Sequence, residues 1–401
     1  MSRQPLSQLL APHVDELIAF RRDLHQHPEL GYHEKRTTDQ VMERLENAGL
    51  HPHPLPGTGL ICDVGSKPGP LVALRGDLDA LNLPEEAWAP WSSSVPGISH
   101  ACGHDLHTAA VLGAGLLLAH LDRAGQLPGR VRLIFQPAEE TMPGGALDVI
   151  AHGALDGVER VYALHCDPHT DVGYVGSRVG AITAAADKIT VTLHGRGGHT
   201  SRPHLTEDVV FALGQVVTQV SAVLSRRIDP RASAAMVWGR VSAGSAANAI
   251  PADGEAIGTF RCLDSSVWGR AGAIITEAVQ DIVRPYGVVA EIHHTRGVPP
   301  TVNDEDAVMV AEAAARDELG DDAVQLTPQS LGGEDFGWIL EKVPGCMLRL
   351  GTRTPGGYTY DLHRPDFRLD EAALGIGVRL LTSIAVRDLE GRNLISESPG
   401  A

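Results

Sequence analysis

Between Ser99 and Thr108 the chain reads Ser-His-Ala-Cys-Gly-His-Asp-Leu-His-Thr, which puts three histidines, one cysteine and one aspartate into ten positions. Thiolate, imidazole and carboxylate together suit zinc, manganese or cobalt. Polar residues ahead of a helix also serve as caps, and Asp105 and Thr108 are suited to that role. A second feature is Glu139-Glu140, close behind the apolar run Val131-Arg132-Leu133-Ile134-Phe135. Adjacent carboxylates repel, so something must favour them there. One can bind a metal while its neighbour acts as general base, and a solvated loop pair is the simpler reading if the two stand alone. His165 follows Val161-Tyr162-Ala163-Leu164, and His363 lies in Asp361-Leu362-His363-Arg364-Pro365-Asp366-Phe367. A single histidine at a strand end is more often a hydrogen-bonded core residue than a ligand.

Convergence shifts that balance, and it depends on the elements that carry these residues. Residues 5–24 read as an amphipathic helix, Thr37 to Ala48 as another, and Asp105 to Leu121 as a third with Ala, Leu and Gly on its buried side. Leu71-Val72-Ala73-Leu74 is a buried strand that ends at Arg75-Gly76-Asp77. Strands alternating with helices over this length predict an α/β fold, a mainly parallel sheet flanked by helices. In such sheets, sites form beyond the carboxyl ends of strands. Asp77, the Cys102 loop, Glu139-Glu140 and His165 all occupy such ends, and with His363 the set holds about what a two-metal hydrolytic site needs.

The pattern changes near residue 187. Lys188 to His194 alternates with period two, as a half-exposed strand does. Helices at Glu207 to Ser225 and Val267 to Val283, with strands at Met236 to Val241, Glu255 to Cys262 and Val288 to His294, complete an α+β unit of four strands and two helices. We therefore expect a discontinuous catalytic domain, 1–186 and 299–392, an inserted domain over 187–298, and a disordered tail over 393–401.

Composition narrows the function. There are 33 Lys and Arg against 50 Asp and Glu, a formal charge of −17, which argues against nucleic acid as a partner. The five cysteines are scattered without a CxxC pair, which fits a reducing compartment better than a disulfide framework. The N-terminus lacks the apolar core of a secretory signal, and the longest apolar stretch, Val111 to Leu121, is too short to span a bilayer. The expectation is a cytoplasmic protein with no membrane partner.

The motifs, in order, resemble those of the aminoacylase, hippurate hydrolase and auxin-conjugate amidohydrolase family of dinuclear metallopeptidase-like enzymes. The resemblance runs through Arg21-Arg22-Asp23-Leu24-His25-Gln26-His27-Pro28-Glu29-Leu30-Gly31, Leu74-Arg75-Gly76-Asp77-Leu78-Asp79-Ala80-Leu81 and His100-Ala101-Cys102-Gly103-His104-Asp105. It continues in Gln136-Pro137-Ala138-Glu139-Glu140, Gly197-Gly198-His199-Thr200, Asn248-Ala249-Ile250-Pro251, Gly258-Thr259-Phe260-Arg261, Gly333-Glu334-Asp335-Phe336 and Leu362-His363. Gly76 and Leu78 stand where Ala and Met are commoner, and Tyr360-Asp361 precede the last ligand loop.

The resemblance implies two divalent ions (Mn, Zn, Co or Ni) held by Cys102, His104, Glu140, His165 and His363, with Glu139 activating a metal-bridging water and Asp77 orienting the cluster. It implies that His199, in the inserted lid or dimerisation domain, steadies the oxyanion. Asn248 and Arg261 would bind the substrate carboxylate, a task for which the planar guanidinium is suited, although Arg261 also fits a surface ion pair. His25, His27, Glu29 and Glu34 read as structural, and His100 and His107 as neighbours of the ligands that do not themselves ligate. The implied activity is hydrolysis of N-acyl amino acids by a homodimer. Its rivals are a dipeptidase or carboxypeptidase with the same ligands, and a non-catalytic homologue, which should have lost ligands or base.

Overall fold

The apolar run at Leu71 grows into the strand Leu71–Asp77, every residue of which is buried. Burial on both faces is what a parallel sheet covered by helices imposes. This strand lies between Arg130–Gln136 and Arg160–Asp171, parallel to both, and Gly345–Arg353 extends the parallel set. The full sheet has eight strands, in the order His53–Pro54, Leu60–Val64, Arg130–Gln136, Leu71–Asp77, Arg160–Asp171, Gly345–Arg353, Val175–Ser177, Val324–Leu326. Towards the edges the pairing turns antiparallel, at Leu60–Val64 against Arg130–Gln136 and at Val175–Ser177 against Gly345–Arg353.

The structure, a computed structural model, describes residues 4–396. It divides into two compact units. The larger comprises the chain up to Gly180, Val302–Pro328 and the chain from Trp338, and the smaller comprises Ala181–Thr301 with Gln329–Gly337. The change of pattern at residue 187 falls inside the strand Ala185–His194.

In the larger unit the helix His104–Arg123 packs on Leu71–Asp77 and against the helices Val14–Gln26 and Ala372–Ser396. Gly113 lets these elements meet: a Cβ there would stand 2.6 Å from Val378 Cγ2 and 2.8 Å from Leu17 Cδ1. Two expectations change. The N-terminal helix is broken into Leu6–Leu10, a tight turn at Ala11–His13, and Val14–Gln26. Pro12 is the cause, because it lacks an N–H and its ring crowds the preceding turn. At the other end, the tail expected to be disordered from 393 is helical through Ser396. No proline interrupts the ladder there, and a helix already nucleated propagates cheaply. Residues 397–401 lie outside the described residues.

In the smaller unit four antiparallel strands run in the order Ala235–Ala243, Asp253–Cys262, Ala185–His194, Val289–Val298. Ile189, Val191 and Leu193 are fully buried and alternate with less buried neighbours, as period two requires. The helices Val209–Arg227 and Ser265–Val283 pack on this sheet, their first turns capped by the carboxylates of Asp208 and Asp264. Val209–Arg227 is long and apolar enough, by length and composition, to cross a membrane. Within the unit its residues Leu213, Val216, Val220 and Leu224 are buried where it packs on the sheet and the companion helix, while Val210 and Phe211 are exposed.

Candidate metal centre

Four segments bring candidate ligand atoms together. Gly103, at φ +84°, turns the chain into the helix His104–Arg123 and leaves Cys102 and His104 at the turn. The turn after Arg130–Gln136 carries Glu139 and Glu140. His165 was expected just after a strand, yet it lies within Arg160–Asp171. That strand continues because Gly345–Arg353 keeps pairing with it, whereas its ladder with Leu71–Asp77 stops at Ala163. His363, at φ +57°, arrives from the C-terminal segment, and its N–H donates to the carbonyl of Ala101 at 2.8 Å, tying this candidate ligand to the Cys102 loop.

The donor atoms of Cys102, His104 and His165 lie within 4.8 Å of one another, as do those of Cys102, Glu140 and His363, and those of His104, Glu139 and Glu140. Cys102 Sγ is 3.6 Å from His165 Nε2, and Glu140 Oε1 is 3.1 Å from His363 Nε2. His104 Nε2 stands 3.9 Å from Glu139, 4.0 Å from Glu140 and 3.8 Å from Asp77.

The tautomers follow from the hydrogen bonds. His104 Nδ1–H donates to the Asp79 carbonyl at 2.9 Å, and His165 Nδ1–H donates to the Cys166 carbonyl at 2.8 Å. Both rings therefore direct a lone pair on Nε2 into the cluster, the arrangement a metal-binding imidazole needs. His104 Nε2 is buried and has no hydrogen-bond partner. A buried acceptor without a partner is costly, and a cation at that point removes the cost. His107 is different. Its Nε2 accepts from the Cys166 N–H at 2.8 Å and its Nδ1–H donates to Asp77 at 2.7 Å, so neither nitrogen is left for a metal.

Electrostatics favour the same occupant. Burial, then the charges of Glu140, Glu139 and Asp77, push the Cys102 thiol well above its ordinary range. Burial opposes protonation of His104, but Asp77, Asp79 and Glu140 outweigh it and raise the group to about 10, so these carboxylates draw positive charge to Nε2, a proton when no metal cation takes its lone pair. The pocket is thus short of positive charge, and divalent cations supply it. His165 moves the other way, held neutral by burial and by Arg349. The donor set of thiol, imidazole and carboxylate fits two divalent ions.

Asp77, expected to orient the cluster, has its carboxylate engaged by His107 and, at 2.5 Å, by Arg75. Asp79 is the acid bound to two of the candidate ligands, His104 and Glu140. Besides its carbonyl contact, its Oδ1 lies 3.3 Å from His104 Nδ1, and its Oδ2 accepts the Glu140 N–H at 2.9 Å. Its place two residues after Asp77 was the available signal. Asp105 does not cap the helix: it pairs with Arg21 at 2.6 Å and with His25 at 2.9 Å, and His25 reaches Glu85 at 3.0 Å. The N-terminal motif therefore braces the ligand loop through Arg21 and His25. Thr108 donates to the Asp77 carbonyl instead of capping.

His199, Asn248 and Arg261 belong to the smaller unit. His199 is exposed on the short strand Gly198–His199, paired to Ala249. Its Nδ1 accepts the Ser201 N–H at 3.1 Å, which leaves the proton of the neutral ring on Nε2. Asn248 is its neighbour, because the Asn248 carbonyl accepts the Thr200 N–H. Arg261, on the strand Asp253–Cys262, donates to the Leu331 carbonyl, so its guanidinium is partly engaged.

Residues 73–387 match a family described as Peptidase family M20/M25/M40. The chain is 49% identical over 370 residues to a Rhodococcus jostii protein named putative glutamate–cysteine ligase 2-3, covering 92% of this chain and 46% of that one; it spans less than half of that relative. It is 37% identical over 378 residues to an N-acetylcysteine deacetylase of Bacillus subtilis, covering 93% and 97% of the two chains. It is 36% identical over 381 residues to thermostable carboxypeptidase 1 of Saccharolobus solfataricus, covering 93% and 95%. Among solved structures, a Bacillus subtilis protein described as a dinuclear metal binding peptidase from the M20 family aligns with TM-score 0.83 and 34% identity, covering 95% of this chain and 99% of that one.

Proposed function

The chain belongs to peptidase family M20/M25/M40 and is a metal-dependent hydrolase of that family, and from this premise we propose that it cleaves the amide bond of N-acyl amino acids with Glu139 as the proton carrier. The observation that carries the reading is the unpartnered, buried His104 Nε2 facing Glu139 and Glu140. Cys102, His104, Glu140, His165 and His363 would hold two divalent ions, Mn, Zn, Co or Ni. When bound, the ions polarise the scissile carbonyl and lower the pKa of water towards neutrality.

Glu139 takes the proton from the attacking water and returns it to the amine nitrogen as the C–N bond breaks, so that acid and amine are released in balance. Its side chain is only 8% exposed, which keeps bulk water from competing for that proton. Asp79 holds His104 and the Glu140 backbone in register. For His199 as the oxyanion donor, Asn248 and Arg261 as carboxylate binders, and a homodimer formed through the smaller unit, the support is resemblance of motif. The Nε2–H tautomer of His199 is the one a donor needs.

Glu139→Gln should lower kcat by about 10²–10⁴-fold, the usual size of a lost acid–base group, with two ions per chain still present by elemental analysis. Wild-type turnover in that variant refutes the assignment. The relative named for N-acetylcysteine makes that compound the first substrate to try. The relative named a carboxypeptidase supports a second reading, hydrolysis of peptide bonds. Side-by-side kcat/KM on N-acetyl amino acids, N-benzoyl amino acids and dipeptides separates the two.

A further inference from the structure

Glu139 stands between two backbone N–H groups, each held by a carboxylate from elsewhere in the chain. On one side the Glu140 N–H donates to Asp79 Oδ2 at 2.9 Å. On the other, the Ala138 N–H donates to Glu34 Oε1 at 2.7 Å. Glu34 is fully buried, and its second oxygen accepts the Thr58 hydroxyl at 2.7 Å. Ala138 has φ +54°, in the left-handed region, and is itself fully buried. A residue with a Cβ is disfavoured in that conformation, so something must hold it there.

The loop that carries Glu34 is built for this contact. Gly31 lies so close to the turn that a Cβ on it would stand 2.5 Å from Thr141 Oγ1 and 3.1 Å from Ala138 Cα. The Glu29 carbonyl accepts the Ala80 N–H at 2.8 Å, which ties the same loop to the segment carrying Asp79.

We propose that Glu34 is a positioning residue of the reaction: it holds the left-handed turn at Ala138 and so aims the carboxylate of Glu139. This rests on the reading of Glu139 as proton carrier. If Ala138 relaxes to an ordinary φ, the following peptide rotates and moves the Glu139 side chain by more than the tolerance of proton transfer. Misplacement by ~1 Å is worth on the order of 10²-fold in rate.

The test uses the full-length, metal-loaded protein with N-acetylcysteine and a dipeptide as substrates. Glu34→Ala should lower kcat on the order of 10²-fold, leave KM within about twofold and leave both ions bound. Glu34→Gln keeps an oxygen for the Ala138 N–H and should retain most of the activity. Adding Ala138→Gly to Glu34→Ala should restore part of kcat, since glycine adopts positive φ without a clamp; a role confined to stabilising the fold would not respond in this way. Should Glu34→Ala fail to fold, Glu34→Asp serves, because it keeps the charge but falls one methylene short, and the same loss of kcat is expected. Amide exchange in the peptide 137–141, read without substrate, should quicken in either variant. That readout tests the clamp independently of the role of Glu139, which Glu139→Gln tests separately. The proposal is overturned by wild-type kcat in folded Glu34→Ala or Glu34→Asp, by unchanged exchange at 137–141, by a kcat loss that Ala138→Gly does not relieve, or by loss of metal that accounts for it.

Discussion

Two aspartates two positions apart do different work. Asp77 neutralises Arg75 and fixes His107, while Asp79 holds His104 by its ring N–H and Glu140 by its backbone N–H. Asp79→Asn would turn an acceptor into an amide whose N–H₂ group faces either the His104 N–H or the Glu140 N–H. We expect it to weaken metal affinity by about 10–100-fold, the usual cost of losing a group that orients a ligand. Competition with a chelator of known affinity measures this, and unchanged affinity would show that the His104 ring is oriented by other contacts. Both residues stand in one motif, and their types are plain in the sequence. Which of them faces the ligands depends on how the chain leaves the strand Leu71–Asp77, and that is set by the helix packed against it.

Among the elements, the turn from Pro137 to Gly145 decides where the two glutamates sit. The Gly145 N–H donates to the Ala138 carbonyl at 3.0 Å, which closes the turn. A Cβ on Gly145 would collide with the carbonyl oxygen of Pro137, a backbone atom that cannot swing aside. Gly145→Ala should therefore displace the turn, cost about 1–3 kcal/mol in stability, and lower kcat more than it raises KM. Denaturant unfolding and steady-state kinetics check both parts; a variant with an unchanged midpoint and kcat would mean that the turn accommodates a side chain. Boundaries of elements were only partly legible. Pro12 breaks the first helix as its chemistry demands, but Arg160–Asp171 runs past His165 because of a partner strand 180 residues or so further along, which no local pattern reports.

Across the whole molecule, the proposed ligand set spans Cys102 to His363, and all five residues lie in the larger unit. Bound ions would cross-link four separate stretches of that unit, and they bind the folded chain in preference to the unfolded one. At a free metal concentration of about 100 Kd, the linkage is worth about 2.7 kcal/mol. Metal-stripped protein should melt at lower temperature than metal-loaded protein, added Mn or Zn should restore the difference, and a chelator should remove it. A melting temperature that is indifferent to metal would remove the case for resident ions. The clustering of Glu139, Glu140 and Asp77 around a thiol explains why the dependence should be large, since those charges repel one another without a cation between them.

Candidate ligand types, their order, the acid pair and the α/β frame were legible along the chain, because each is a matter of side-chain chemistry or of local periodicity. Cys102, His104, Glu140, His165 and His363 converge as candidate donors in the structure, and the strand that leads into Glu140 and the strand that carries His165 were visible as apolar runs. The folded chain alone shows that His107 is spent on Asp77 and the Cys166 N–H, that Asp79 rather than Asp77 bonds to His104 and Glu140, and that Asp105 pairs with Arg21 and His25. It alone decided that a buried glutamate from the N-terminal motif stabilises a left-handed alanine beside Glu139. The physical reason is common to all of these. A hydrogen bond depends on where two groups stand within a few tenths of an ångström, and residues 34 and 138, or 21 and 105, have no local signal that says they meet.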